Sequence, residues 1–178
     1  MNWIKYLIII LSFYILVLLQ SGFFAHFSFF GAIPNLVFVL FFLFIFFEDI
    51  KNPYGVAFFG ITAGFFLDIF SYAYFGQSII LLLIVGFGLK NLQALLKSQQ
   101  NRYPFAYFAP LFCVSFIVYE VLLMLFLRFV DPLHAKIVFN WAFLAEIAYN
   151  LAFASVAFYI YKFLSEKLID TRQLKLFR

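Results

Sequence analysis

Charge is what this sequence has least of. Only 11% of its 178 residues are Asp, Glu, Lys or Arg, against roughly a quarter in a soluble domain. No stretch is polar enough to wrap a water-facing domain, and that class is excluded. There is one cysteine, Cys113, mid-way along an apolar run, so an intramolecular disulfide and a cysteine-rich metal site are both excluded. HExxH, GxSxG and a phosphate-binding glycine loop are missing. Cys113 lies away from His26 and His134, and Asp68 is the one aspartate within an apolar run. Neither a Cys–His pair nor an aspartyl dyad can be assembled from these. The absences predict a protein that is not an enzyme, with no catalytic residue, cofactor or metal.

What is present is apolar. Hydrophobic residues make up 67% of the chain, with 31 Phe and 11 Tyr, and the mean hydropathy is +1.06. So many large rings cannot be hidden in one aqueous core of this size; the chain belongs in a bilayer. The net charge of +4 does not point to nucleic acid, because the basic residues are scattered between apolar runs instead of gathered on one face.

A spanning helix needs about 20 largely apolar residues. Six candidates appear, at roughly 4–24, 33–48, 54–74, 77–97, 104–128 and 137–163, the second of them short. Lys5 ahead of an apolar stretch looks like a signal sequence. No small-x-small site follows, so it is read as an uncleaved first span. Breaks fall at GAIPN, where Pro34 can start a helix without losing a hydrogen bond, and at EDIKNPYG, SYAYFGQS, KSQQNRYP and RFVDPLHAK. Barrel strands would alternate apolar and polar residues; these runs do not. The expected fold is an all-α polytopic membrane bundle of six transmembrane helices forming a single integral membrane domain over 1–178.

Lys and Arg collect on the cytoplasmic side of membrane proteins. With the N-terminus inside, that side receives Lys5, Lys51, Lys90, Lys97, Arg102, Lys162, Lys167, Arg172, Lys175 and Arg178, ten in all, and the other receives Arg128 and Lys136. Ten against two predicts that both termini are cytoplasmic. The basic tail, 164–178, is either a topology anchor beside anionic lipid or a docking site for a cytoplasmic partner.

Three acids fall within spans. At 1.5 Å per residue, Asp68 lies roughly 9 Å, Glu120 roughly 12 Å and Glu146 on the order of 15 Å from the outer ends. Gln20, Gln77 and Asn140 share that half, and Asn150 follows Glu146 by one turn. Intramembrane charges normally face the bundle or a wet cavity, so Asp68 is expected to point inward. Three carboxyls with few bases at their depth cannot all be ionised while buried close together. Gly60, Gly64 and Asp68 follow one another at i+4 on one helix face. That small-xxx-small spacing permits close backbone approach, either inside the bundle or against a partner. Glu146 and Asn150 are either an interhelical hydrogen-bonding pair or a ligand or proton site.

The order of features resembles the MreD family of rod-shape-determining membrane proteins. The likeness is carried by IPNLVFVL (33–40), GVAFFGITAGFFLD (55–68), YFG (74–76) and VGFG (85–88), and covers roughly residues 30 to 90. It implies a non-enzymatic scaffold of the bacterial cell-wall elongation machinery in the cytoplasmic (inner) membrane. The implied partners are an MreC-like single-span protein and, through it, RodA, a penicillin-binding transpeptidase and MreB. It also implies a fold similar to the S-components of energy-coupling-factor vitamin transporters, so a substrate-binding transporter component is the alternative. The resemblance carries Pro34, Gly60, Gly64 and Asp68 as structural or partner-contacting positions. Glu120, Glu146 and Asn150 join them from the depth argument.

Overall fold

The computed structural model describes residues 3–27, 31–48, 52–71, 74–96, 104–132 and 141–176, with the side chains of Lys5, Pro104 and 165–176 outside that description. His134, Lys136, Asn140, Lys51, Lys97, Arg102 and Arg178 lie outside the described residues, and so do the side chains of most of the basic tail. The described chain is helical: α1 (Trp3–Leu18), α2 (Leu36–Phe47), α3 (Pro53–Phe70), α4 (Gln77–Leu95), α5 (Pro104–Val130) and α6 (Trp141–Leu176). α1 continues through a π turn at Leu19–Phe23 and a short 3₁₀ turn at Phe24–His26. Among the described residues, five helical stretches are long and apolar enough to cross a bilayer. The chain is a multi-pass membrane protein.

Ring contacts between neighbours set the direction of each helix. Tyr6 meets Phe58 while Tyr14 meets Phe66 and Phe70, so α3 runs with α1; Phe13 meets Phe44 while Gln20 reaches Val37, so α2 runs against α1. Gly60 abuts Leu83 and Gly64 abuts Ile79, which makes α3 and α4 antiparallel. Phe105 meets Tyr159, and Phe108 meets Phe158, which fixes α5 against α6. The six helices reverse direction at each of the five steps along the chain, as expected of a polytopic bundle.

The centre is the surprise. α2 has 12 residues, LVFVLFFLFIFF, nine of them buried, and it packs against all five other helices. A helix that is apolar all round has no face to offer water and belongs inside. α2 and α5 meet through a ladder of rings with a four-residue step on each. Phe38 lies 5.2 Å from Phe116, Phe42 lies 5.1 Å from Phe112, and Phe46 lies 5.0 Å from Phe108, all edge to face. Each such pair adds about 0.5–1.5 kcal/mol beyond area burial. Lipid tails are as apolar as the core, so this packing, not hydrophobic exclusion, holds the helices together.

The second apolar run, expected at 33–48, begins its helix only at Leu36, with Asn35 as the N-cap. Pro34 therefore stands one residue ahead of the cap and is buried, instead of starting the helix. Its ring fixes φ while Asn35 supplies the hydrogen-bonding side chain that Pro34 lacks.

Candidate functional site

A 12-residue helix rises about 18 Å, well short of a hydrocarbon core of about 30 Å. α2 is therefore too short to carry its orphan N–H and C=O groups to both headgroup layers. Neighbouring helices must supply the partners, and they do so in two polar layers, one at each end.

At the starting end of α2, the Asn35 side chain accepts from the Phe38 amide at 3.0 Å. The Asn35 amide in turn donates to Asn150 Oδ1 at 2.7 Å, and the Val37 amide to Gln20 Oε1 at 3.4 Å. Asn150 is wholly buried and its Nδ2 donates to the Glu146 carbonyl at 2.9 Å. The i, i+4 relation of Glu146 and Asn150 is therefore a backbone contact along α6. The interhelical bond runs from Asn150 to α2 instead.

Asp68 serves α4 in the same layer. It is 4% exposed, and its two carboxylate oxygens accept from the Gly76 and Ser78 amides, each at 2.8 Å. A carboxylate on the first amides of a helix is favoured by hydrogen bonding and by the helix dipole together. Gly76 adopts φ +92°, a left-handed conformation that glycine takes at no steric cost, and so lets the chain turn tightly into α4. The glycine face below Asp68 brings the two helices close enough. A Cβ on Gly64 would lie 2.4 Å from Ile79 Cα, and one on Gly60 would lie 2.9 Å from Leu83 Cδ2. Gly60, Gly64 and Asp68 thus form one seam inside the α3–α4 hairpin.

The remaining acids sit beside this seam. Tyr119 is buried, with its hydroxyl in hydrogen-bonding reach of the Ser78 and Asn35 side chains and with Asp68 and Glu120 nearby. Glu120, 8% exposed, lies near enough to Glu146 for each carboxyl to feel the other's charge. The structure brings Asp68, Glu120, Glu146 and Asn150 into one layer, with Pro34 just ahead of the Asn35 cap. Among the described residues the Gln77 amide, 1% exposed, bonds to none of them.

The opposite layer holds residues the sequence reading passed over. Lys90, 5% exposed, donates from Nζ to the Ile45 carbonyl at 2.6 Å and the Glu48 carbonyl at 2.7 Å. Gln93 Nε2 donates to the Phe46 carbonyl at 3.1 Å. A cation at a helix C-terminus is favoured by the dipole. Lys90, one of the ten charges that the sequence places on the cytoplasmic side, is a buried cap at that end of α2. The available signal was its place with Gln93, three residues apart and therefore on one face of the helix.

No group of three or more His, Cys, Asp or Glu side chains among the described residues is arranged to hold a metal ion. What the layers do chemically is terminate helices: amides meet carboxylate and amide oxygens at one end, and carbonyls meet an ammonium at the other. Comparison with protein-family models, with curated proteins and with solved structures returns no match.

Proposed function

We propose that this multi-pass protein is a non-enzymatic scaffold of the MreD type, in the bacterial cytoplasmic membrane. In this reading it holds an MreC-like single-span protein beside the bundle and, through it, RodA, a penicillin-binding transpeptidase and MreB. One observation carries the reading beyond the resemblance. Asp68 and Asn150, the two most deeply buried of the candidate polar side chains, close on the chain's own backbone, whereas a small-molecule site needs convergent polar groups that remain open to a ligand. A bundle whose polar residues lock its own helices offers its outer helix faces for work, and such faces recruit other membrane helices through packing.

Affinity purification of the tagged protein from its own membranes in mild detergent tests this. The scaffold reading expects a stoichiometric single-span partner to co-purify, and loss of rod shape on depletion. Recovery of a bound vitamin, or of an ATP-driven transport module, would replace it with the transporter reading.

A further inference from the structure

Between the first turns of α1 and α3 and the end of α2 lies a cavity of about 510 Å³, lined by Tyr6, Ile9, Glu48, Asn52, Tyr54 and Phe58 among others. Its composition sets it apart from two other grooves among the described residues. One lies against Leu16, Leu40, Val156 and Ile160, and the other against Ala145, Ala148, Tyr149 and Ala152; neither contains a charged residue. Here a carboxylate and an amide share a wall with two phenols, and aliphatic and aromatic residues continue inward.

We propose that this cavity binds the headgroup of a zwitterionic aminophospholipid of the phosphatidylethanolamine type. Depth comes first. Tyr6 and Pro53 begin apolar spans, and α1 and α3 run in the same direction, so the cavity lies at the level where spans meet headgroups. Tyrosine favours that level, and Tyr54 is 84% exposed there.

Charge comes second. Glu48 Oε1 accepts from Asn52 Nδ2 at 2.8 Å, which orients the carboxylate, and Oε2 carries no hydrogen bond among the described residues. That oxygen can accept from a primary ammonium, which a quaternary one cannot offer. Tyr6 and Tyr54 add ring faces of the kind that attract cations.

The third element is the start of α3, where Asn52 Oδ1 caps the Gly55 amide. The positive end of that helix dipole disfavours a bare cation and suits a phosphate. A headgroup with both charges satisfies both walls, whereas an anionic headgroup would meet Glu48 with like charge. Ile9, Phe58 and Phe59 then line the path of the glycerol and first acyl carbons.

The test is native mass spectrometry of delipidated protein in detergent, titrated separately with phosphatidylethanolamine, phosphatidylcholine and phosphatidylglycerol of identical acyl chains. The wild type should retain phosphatidylethanolamine about fivefold better than the other two, a ratio expected for one partly exposed charge-assisted contact. Glu48→Gln keeps an acceptor for Asn52 and the side-chain shape, and should erase the preference. Tyr54→Leu, at an exposed position, should weaken it. Equal retention of the three lipids by the wild type, or an unchanged preference in Glu48→Gln, overturns the proposal. Displacement of the lipid by millimolar free ethanolamine also overturns it, since the site would then recognise a small amine and not a lipid.

Discussion

Asp68 and Ser78 are joined across the α3–α4 turn by a 2.8 Å bond from the Ser78 amide to the Asp68 carboxylate. The carboxylate's other oxygen takes the Gly76 amide. An acid that looks out of place in lipid is thereby the cap of the next helix. The membrane makes such a cap more valuable, because no water can replace it at that depth.

Replacing Asp68 with Ala should leave two buried amides without a partner, at about 1–3 kcal/mol for each unsatisfied group. Asp68→Asn keeps one acceptor and turns an NH₂ toward the other amide, so it should fall between. The observable is the unfolding midpoint in an SDS titration of detergent-solubilised protein. A midpoint for Asp68→Ala equal to the wild type would show that the cap is dispensable.

The glycine seam predicts an order of sensitivity. Gly64→Ala drives a Cβ to 2.4 Å from a backbone atom of Ile79, which cannot yield without parting the helices. Gly60→Ala meets the end of the Leu83 side chain, which can rotate. A Cβ on Gly88 meets nothing within 4 Å, and Ala there gains up to about 1 kcal/mol of helix propensity. Overpacking costs typically about 1–3 kcal/mol. Thermal midpoints should therefore rank Gly88→Ala highest, then Gly60→Ala, then Gly64→Ala; a Gly64→Ala protein as stable as Gly88→Ala would contradict the packing.

Lys90 and Gln93 should respond unequally. Lys90→Met strips the donor from the Ile45 and Glu48 carbonyls and should cost about 1–3 kcal/mol. Gln93→Leu removes one bond but also removes Gln93 Oε1, which has no partner among the described residues, so its net effect should be smaller. The same SDS titration reads both, and equal losses would mean that Lys90 is not the principal cap.

Asn150 ties α6 to the central helix through the Asn35 amide. Asn150→Leu, of similar size, should expose that unmet donor and loosen α6. Hydrogen exchange at the start of α2 should quicken, with the inner end of α3 unaffected. Uniform exchange across both segments would place the tie elsewhere.

Orientation is open to direct measurement. In a Cys113→Ser background, Phe75→Cys and Tyr54→Cys place thiols at exposed positions on opposite ends of α3 and its following turn. A membrane-impermeant maleimide added to intact cells should label the first and reach the second only after permeabilisation. The reverse pattern would invert the topology.

Composition and run length, by themselves, determined that this is a helical, multi-pass membrane protein. Those conclusions follow from how lipid treats backbone polarity, which is a local property of each segment. The i+4 spacing of Gly60, Gly64 and Asp68 likewise placed them on one face, because helical geometry alone dictates it. Tertiary structure decided what that face meets: α4, and not a partner. It also decided that the shortest helix is the axis, although a run such as LVFVLFFLFIFF, apolar on every side, carried that signal. The partners of Lys90 and Asn150 were not legible in the sequence, because a helix cap supplied by another helix depends on where two distant ends come to rest. A lysine in an apolar run looks like a topology marker until its ammonium is seen on the last carbonyls of α2.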